Sequence, residues 1–140
     1  NLGCKNILIC DPYIKDKKAS INFMEKDELL KSSDIVSLHL PLSDETQNFI
    51  GEKEIKLLQN GSYIINTSRG GLIDHNSLVY FLKNKKLGGA AIDVYDEEPY
   101  SGELTTLNNT ITTSHIGPMT EETRKNMESK AVQNIINFYN

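Results

Sequence analysis

Five short apolar runs recur along the chain, separated by stretches in which charged residues surround pairs of leucines and isoleucines. Each run is five to seven residues long and mostly continuous in apolar or β-branched residues. Such runs are typical of strands that are buried on both faces, as in a parallel sheet. The predicted strands are NILIC (6–10), DIVSLHL (34–40), SYIINT (62–67), GAAIDVY (89–95) and TITTS (110–114).

The stretches between these runs carry helical patterns. One of them ends in Gly61, a good helix C-cap, and another follows Asp74, a plausible N-cap, and ends near Gly88. In the last stretch the apolar residues fall at spacings of three and four, which indicates a single amphipathic helix. We predict helices over 24–33, 52–61, 75–88 and 120–139.

This alternation predicts the fold class. Strand, helix, strand, helix requires right-handed crossovers and indicates an α/β fold with a doubly wound, mainly parallel sheet of the Rossmann-like type. The chain shows no internal repeat, linker or low-complexity block, so we expect a single domain. Ligands of such sheets bind beyond the carboxyl ends of the strands, which is where functional residues are expected.

Charge and hydropathy narrow the class of partner. The 140 residues carry a formal net charge of −4 and no long basic run, which argues against nucleic acid. No apolar stretch approaches the ~20 residues that span a bilayer, and no signal-peptide pattern is present. We therefore expect no membrane contact and a cytoplasmic location.

Three charged residues sit at or near predicted strand ends, and each has two interpretations. Asp11 could accept hydrogen bonds from both ribose hydroxyls of an adenosine, which would favour NAD over NADP, or it could start a turn before Pro12. Arg69, followed by two glycines, could bind a carboxylate bidentately and polarise a carbonyl, or it could lie in a surface turn. Asp93, in an otherwise apolar run, needs a partner, either a nicotinamide carboxamide or a neighbouring loop.

The chain has three histidines, and each is a candidate for the catalytic base. His39 stands before a proline at one predicted strand end, His115 stands at another, and His75 is the third. Glu98 precedes a proline in a loop. A glutamate bonded to one imidazole nitrogen would fix the tautomer and leave the other nitrogen to exchange a proton with substrate. The strand-end argument therefore favours His115, provided that Glu98 reaches it.

The motifs resemble one family when they are taken in order. DPY, HLPLSDET, NTSRGGLID, GGAAIDVYDEEP and SHIGPMTEET cover nearly the whole chain, and their order and spacing resemble the nucleotide-binding domain of the D-isomer-specific 2-hydroxyacid dehydrogenases, the group that includes D-3-phosphoglycerate dehydrogenase. The resemblance implies NAD as cofactor, a small 2-oxo or 2-hydroxy acid as substrate, and no metal site.

The resemblance also implies the roles of individual residues. Arg69 would hold the carboxylate and carbonyl of the 2-oxo acid, His115 would be the general acid and base, and Glu98 would be its partner. Asp11 would bind the adenosine ribose and Asp93 the nicotinamide amide. The implied cofactor-binding residues are Asp11, His39, Leu40, Pro41, Thr46, Thr67, Ser68, Arg69, Asp93, His115 and Gly117.

Two features of the family are missing from this sequence. The G-x-G-x-x-G turn that cradles the pyrophosphate is absent, and so is the substrate domain on both sides, so residues 1–140 resemble a fragment of an NAD-binding domain truncated before its first strand. We expect such a fragment to turn over no substrate and to bind NAD weakly. Because the missing strand would be central, we expect unpaired strand edges, covered by upstream residues or by association into a homodimer.

Other functions remain open at this point. Within the enzymes, the alternatives are a glyoxylate/hydroxypyruvate reductase or a D-lactate dehydrogenase-like enzyme. Formate dehydrogenase resembles this family but tends to carry glutamine where Glu98 stands, so Glu98 argues against it. From another class, an NAD-sensing corepressor-like binding module is the alternative. The residues that would shape the substrate side-chain pocket lie on the missing domain, so the particular 2-hydroxy acid stays undetermined.

Overall fold

The main feature of the structure, a computed structural model that describes residues 3–14 and 22–139, is a four-stranded parallel sheet. The strands are β1 (Leu8–Ile9), β2 (Asn22–Phe23), β3 (Ile35–Leu38), β4 (Ser62–Asn66), β5 (Leu87–Ile92) and β6 (Thr110–Thr112). The sheet has the order β3-β4-β5-β6 with every pair parallel, and β1 and β2 form a separate parallel pair. The predicted parallel α/β, Rossmann-like fold is confirmed.

Four α-helices in the described part of the chain lie between and after these strands, close to the predicted segments. They are α1 (Lys26–Ser32), α2 (Glu52–Leu57), α3 (His75–Lys83) and α4 (Glu121–Tyr139). The side chain of Asp74 accepts a hydrogen bond from the Ser77 N–H at 2.8 Å, so the predicted N-cap of α3 is confirmed. Helix α2 connects β3 to the parallel strand β4, and α3 connects β4 to the parallel strand β5, as a wound sheet requires.

Two predicted helix ends, each placed at a glycine, are wrong. Helix α2 ends at Leu57, and Gly61, at φ 85°, instead forms the turn into β4. Helix α3 ends at Lys83, so Gly88 belongs to β5. Strand β5 also ends earlier than predicted, which makes Asp93 the first residue after the strand rather than a residue inside it.

The hydrophobic core lies on one face of the sheet, beneath α1, α2 and α3. Its most deeply buried members are at most 1% exposed: Leu30, Ile50, Ile55, Ile64, Leu72, Leu82, Leu87 and Leu104. The opposite face keeps apolar side chains in solvent, with Ile35 54%, Tyr63 50% and Ile111 68% exposed. The continuous apolar runs predicted burial on both faces of the sheet. Among the described residues, only one face is buried.

Helix α4 is the predicted long C-terminal helix, and it stands apart from the core. None of its residues, all of which are described, is buried, and its apolar side chains Met127, Ile135 and Phe138 are 55%, 60% and 82% exposed. Within 3–14 and 22–139, no helix combines the length and the apolar character needed to cross a membrane.

A partly buried ion pair joins α1 to the start of α2. Lys26 Nζ donates to Glu54 Oε1 at 3.0 Å, and the Gly51 N–H donates to Glu54 Oε2 at 3.1 Å. Burial by itself raises the pKa of Glu54, but the hydrogen bonds from Lys26 and from backbone N–H groups outweigh it and lower the pKa below its usual value of 4.5.

The Glu54→Gln variant tests this ion pair. A carboxyl whose pKa is lowered by folding contributes stability above its ordinary pKa and loses it as the pH falls through the folded-state value. We expect the variant to be about 1–2 kcal/mol less stable in urea unfolding at pH 7, with the difference shrinking as the pH falls below 4.5. The exposed Glu52→Gln change, which removes an i,i+4 pair with Lys56, should cost about 0.5 kcal/mol or less. A Glu54→Gln deficit that is the same at pH 7 and pH 3 would contradict this account.

Candidate active site

Four loops that carry the predicted functional residues leave the sheet at the same edge. They follow the carboxyl ends of β3, β4, β5 and β6 and comprise residues 39–41, 67–69, 93–98 and 113–117. Because all four strands are parallel, these loops lie side by side. The strand directions thus bring the predicted residues of these four loops to one edge of the sheet.

Asn66, the last residue of β4, shapes the loop that presents Arg69. Its side chain is 1% exposed; Nδ2 donates to the Arg69 carbonyl at 2.8 Å, and Oδ1 accepts from the Ser68 N–H at 3.1 Å. The Ser68 hydroxyl donates to the Leu38 carbonyl at 2.7 Å, which ties this loop to the end of β3. The backbone of Arg69 is therefore fixed by two neighbouring strands.

The Arg69 guanidinium itself faces solvent. It donates one hydrogen bond, from Nη1 to the Ser68 carbonyl at 2.6 Å. None of the ion pairs between described residues involves Arg69. A guanidinium has five N–H donors, so donors remain for the carboxylate of a ligand.

Gly70 lets the Arg69 loop rest directly on the segment that follows β5. A Cβ at this position would overlap the backbone of Tyr95 and Asp96. That same segment leads to Glu98, whose Oε1 accepts a hydrogen bond from the Tyr95 N–H at 3.2 Å. Close backbone contact at Gly70 therefore sets the position of Arg69 relative to Glu98.

Glu98 and His115 are in contact, which the sequence could not establish. The Nδ1 atom of His115 lies 3.2 Å from Oε1 and 3.1 Å from Oε2 of Glu98, and both side chains are about 40% exposed. With the carboxylate as acceptor, Nδ1 carries the proton and Nε2 is the nitrogen that can exchange one with a ligand. His115 has φ 55°, in the left-handed region that non-glycine residues rarely adopt.

Asp93 reaches the same loop from the end of β5. Its carboxylate accepts hydrogen bonds from the Thr113 hydroxyl at 2.5 Å, the Ile116 N–H at 3.1 Å and the Gly117 N–H at 3.3 Å. Burial raises the pKa of Asp93, but these hydrogen bonds and the nearby His115 outweigh it and lower the pKa from its usual value. A neighbouring loop therefore provides the partner that a buried Asp93 requires.

The residues predicted to line the cofactor occupy the remaining loop positions. Asp11 is half-buried beyond β1, and its side chain accepts from the Tyr13 N–H at 2.9 Å, so it does start a turn. His39 is exposed and pairs with Ser37, Nε2 to Oγ, at 2.9 Å. The Thr46 hydroxyl donates to the Pro41 carbonyl at 2.7 Å and closes the loop after β3.

The other predicted cofactor residues differ in exposure. Leu40 is half-buried and packs against the core, Ser68 is half-buried, and Thr67 is exposed at the end of β4. A Cβ on Gly117 would have one neighbour within 4 Å, Asp93 Oδ2 at 3.5 Å, so the surface there is open to a ligand. A carboxylate at β1, exposed hydroxyl groups and an open glycine backbone suit a dinucleotide.

In 3–14 and 22–139, no cluster of three or more His, Cys, Asp or Glu side chains could hold a metal.

Sequence reasoning missed two of the three residues that shape this site, and it noted the third, Gly70, only as one of two glycines after Arg69. Asn66 orders the Arg69 loop, Gly70 sets its distance from the Glu98 segment, and Thr113 joins Asp93 to the His115 loop. Asn66 could have been found from the sequence, because it is an amide residue at the end of an otherwise apolar strand. Gly70 and Thr113 stand among other glycines and threonines, so only the folded chain distinguishes them.

The fold and this edge of the sheet are those of a nucleotide-binding domain. The model of one family, described as D-isomer specific 2-hydroxyacid dehydrogenase, NAD binding domain, matches residues 1–117, and the chain belongs to this family. The family resemblance and the NAD-binding class predicted from the motifs are confirmed.

Individual relatives agree with the family. The chain is 42% identical over 124 residues to a glyoxylate reductase of Thermococcus litoralis, covering 88% of this chain and 38% of that protein. It is 42% identical over 125 residues to a D-3-phosphoglycerate dehydrogenase of Methanocaldococcus jannaschii, covering 86% and 24%. A solved structure of a D-2-hydroxyisocaproate dehydrogenase superposes with a TM-score of 0.86 at 28% identity, covering 96% and 46%. The chain thus spans less than half the length of each.

Gly70 offers a test of how the site is held together. Gly70→Ala places a methyl group into the backbone of Tyr95 and Asp96, so we expect a loss of about 1–3 kcal/mol in urea unfolding and a weakened Glu98–His115 contact in the NMR signals of the His115 ring. Gly51→Ala, whose Cβ would have its nearest neighbour at 3.5 Å, should cost less than about 1 kcal/mol and leave the His115 signals unchanged. Equal effects of the two substitutions would refute the assignment of Gly70.

Proposed function

We propose that this chain supplies the NAD-binding and proton-transfer parts of a dehydrogenase that interconverts D-2-hydroxy acids and 2-oxo acids. The observation that carries the proposal is the contact between His115 Nδ1 and the Glu98 carboxylate, at 3.1 Å, on the sheet edge that also presents Arg69. A histidine oriented by a carboxylate, with an arginine at the same edge of the sheet, is suited to acid–base chemistry at a carbonyl.

We propose a separate role for each of the three side chains. Arg69 binds the substrate carboxylate and stabilises the charge that develops on the C2 oxygen during reduction. Glu98 keeps the proton of neutral His115 on Nδ1. On reduction His115, doubly protonated, donates from Nε2 to the C2 oxygen; on oxidation neutral His115 accepts the hydroxyl proton there. When bound, a nicotinamide would accept a hydride from C2 of the hydroxy acid or donate one to C2 of the oxo acid.

The cofactor is proposed to lie along the loops beyond the strand ends. Asp11 binds the adenosine ribose and favours NAD over NADP, because a carboxylate repels a 2′-phosphate. Asp93 binds the nicotinamide amide through acceptor capacity that its three hydrogen bonds leave on the carboxylate. The proposed lining between these two ends comprises His39, Leu40, Pro41, Thr46, Thr67, Ser68 and Gly117.

The proposed substrate is a short 2-oxo acid. Among the relatives, one is named a D-3-phosphoglycerate dehydrogenase and another a glyoxylate reductase, at equal identity to this chain. We retain a D-3-phosphoglycerate dehydrogenase-like reaction as the first candidate. A panel of 2-oxo acids assayed with NADH, using the natural protein that contains this sequence, separates these candidates.

We also propose a cytoplasmic homodimer. The observation in favour is the outer edge of β3, with which no other described strand pairs. Sedimentation of the natural protein at the mass of one subunit would contradict this proposal.

The His115→Ala variant tests the proposed acid–base role. We expect kcat to fall by about 10²–10⁴-fold, because the proton donor is lost, while the Kd for NAD changes by less than about threefold. His75→Ala is the matched control: His75 contacts Tyr100 at the start of α3, outside the proposed chemistry, and kcat should be retained. NAD binding without turnover in the unsubstituted protein would favour the corepressor-like alternative, and unchanged turnover in His115→Ala would refute the role of His115.

A further inference from the structure

Asp93 and Thr113 link the ends of two neighbouring strands just before the His115 loop. The Thr113 N–H donates to the Ile92 carbonyl at 3.0 Å and the Asp93 N–H donates to the Asn66 carbonyl at 3.0 Å, so both backbones are held by the sheet. Their side chains then meet, with Thr113 Oγ1 2.5 Å from Asp93 Oδ1. The pair is anchored before the chain reaches His115.

The backbone directly after His115 is held by the same carboxylate. The Ile116 N–H donates to Asp93 Oδ1 at 3.1 Å and the Gly117 N–H donates to Asp93 Oδ2 at 3.3 Å. His115 therefore lies between two points fixed to one side chain, Thr113 on one side and Ile116 on the other. Its left-handed conformation, at φ 55°, needs such support because L-residues rarely adopt it.

We propose that Asp93 and Thr113 are positioning residues for His115, because together they hold the left-handed turn that directs the imidazole onto Glu98. The part of this proposal that concerns turnover rests on the proposed function; the part that concerns the orientation of the ring does not. Neither residue needs to touch the substrate for this role.

The chemistry of the link explains the residue types. Three donors converge on Asp93, and an ionised carboxylate, which only accepts, can satisfy all of them. An asparagine at this position would place its NH2 group, which donates, against one of these three donors. The hydroxyl of Thr113 is the donor that valine lacks and serine retains, and valine has nearly the same shape as threonine. Thr113 therefore offers a substitution that removes one hydrogen bond with little change in volume.

Nitrogen NMR of the histidine rings in the 140-residue chain provides the test. In the unsubstituted chain we expect neutral His115 to be mainly the Nδ1–H tautomer, as its contact with Glu98 requires. In Thr113→Val we expect the tautomer populations of His115 to move toward those of an unrestrained histidine, with the signals of His39 and His75 unchanged. Thr113→Ser should restore the original signals. Thr106→Val, which removes a hydroxyl bonded to the Glu103 carbonyl, serves as the matched control and should change nothing at His115.

Two further measurements complete the test. In the natural protein, Thr113→Val should lower kcat by about 10²-fold, since a small misplacement of a reacting group has an effect of that size, and Thr113→Ser should recover most of it. In the unsubstituted chain the Ile116 amide should be protected from hydrogen exchange by its bond to Asp93, a result that does not depend on any variant folding.

Either of two results would overturn the proposal: His115 signals that are unaffected by Thr113→Val, or an unprotected Ile116 amide. If the tautomer shifts in Thr113→Val but the natural protein has no turnover, the positioning role stands and the proposed function fails.

Discussion

The parallel alignment of β3, β4, β5 and β6 is the constraint on which the candidate site depends. Each functional loop is short and starts at the carboxyl end of one of these strands, so their common direction places Arg69, Glu98 and His115 at one edge. Reversal of a single strand would move its loop to the other end of the sheet. The core beneath α1, α2 and α3 therefore contributes to function chiefly by fixing the positions of the strands.

At this edge, polar side chains at the strand ends hold the loops in place through hydrogen bonds to the loop backbone. Asn66 closes the Arg69 loop, and Asp93 closes the His115 loop. The two are joined directly, because the Asp93 N–H donates to the Asn66 carbonyl. A buried amide and a buried carboxylate cost free energy unless their hydrogen bonds are made, and here the donors and acceptors of the loops make them. The loops of Arg69 and His115 thus share one hydrogen-bonded framework.

Much of this organisation could be predicted from the residues. The apolar runs located β3 to β6, and Asp74 located the start of α3, because both signals are local. Predictions fail where a residue type has more than one use: glycine is common at helix ends, but here Gly61 makes a turn and Gly88 belongs to a strand. β2, a pair of residues at Asn22–Phe23, is too short to give a pattern. The Glu98–His115 contact links residues 17 apart, and only folding establishes it.

The central claim is that hydride passes between a nicotinamide and C2 of a 2-oxo or 2-hydroxy acid at this site, with His115 carrying the proton. The most direct measurement incubates the natural protein with a 2-oxo acid and NADH deuterated at C4 of the nicotinamide, on the face that is transferred, and locates the label in the product. The account predicts deuterium at C2 of the D-2-hydroxy acid in the unsubstituted protein and almost no product with His115→Ala. Two results would contradict the account. One is a product that carries no deuterium, whichever face of the nicotinamide C4 is labelled; the other is labelled product formed equally well by His115→Ala.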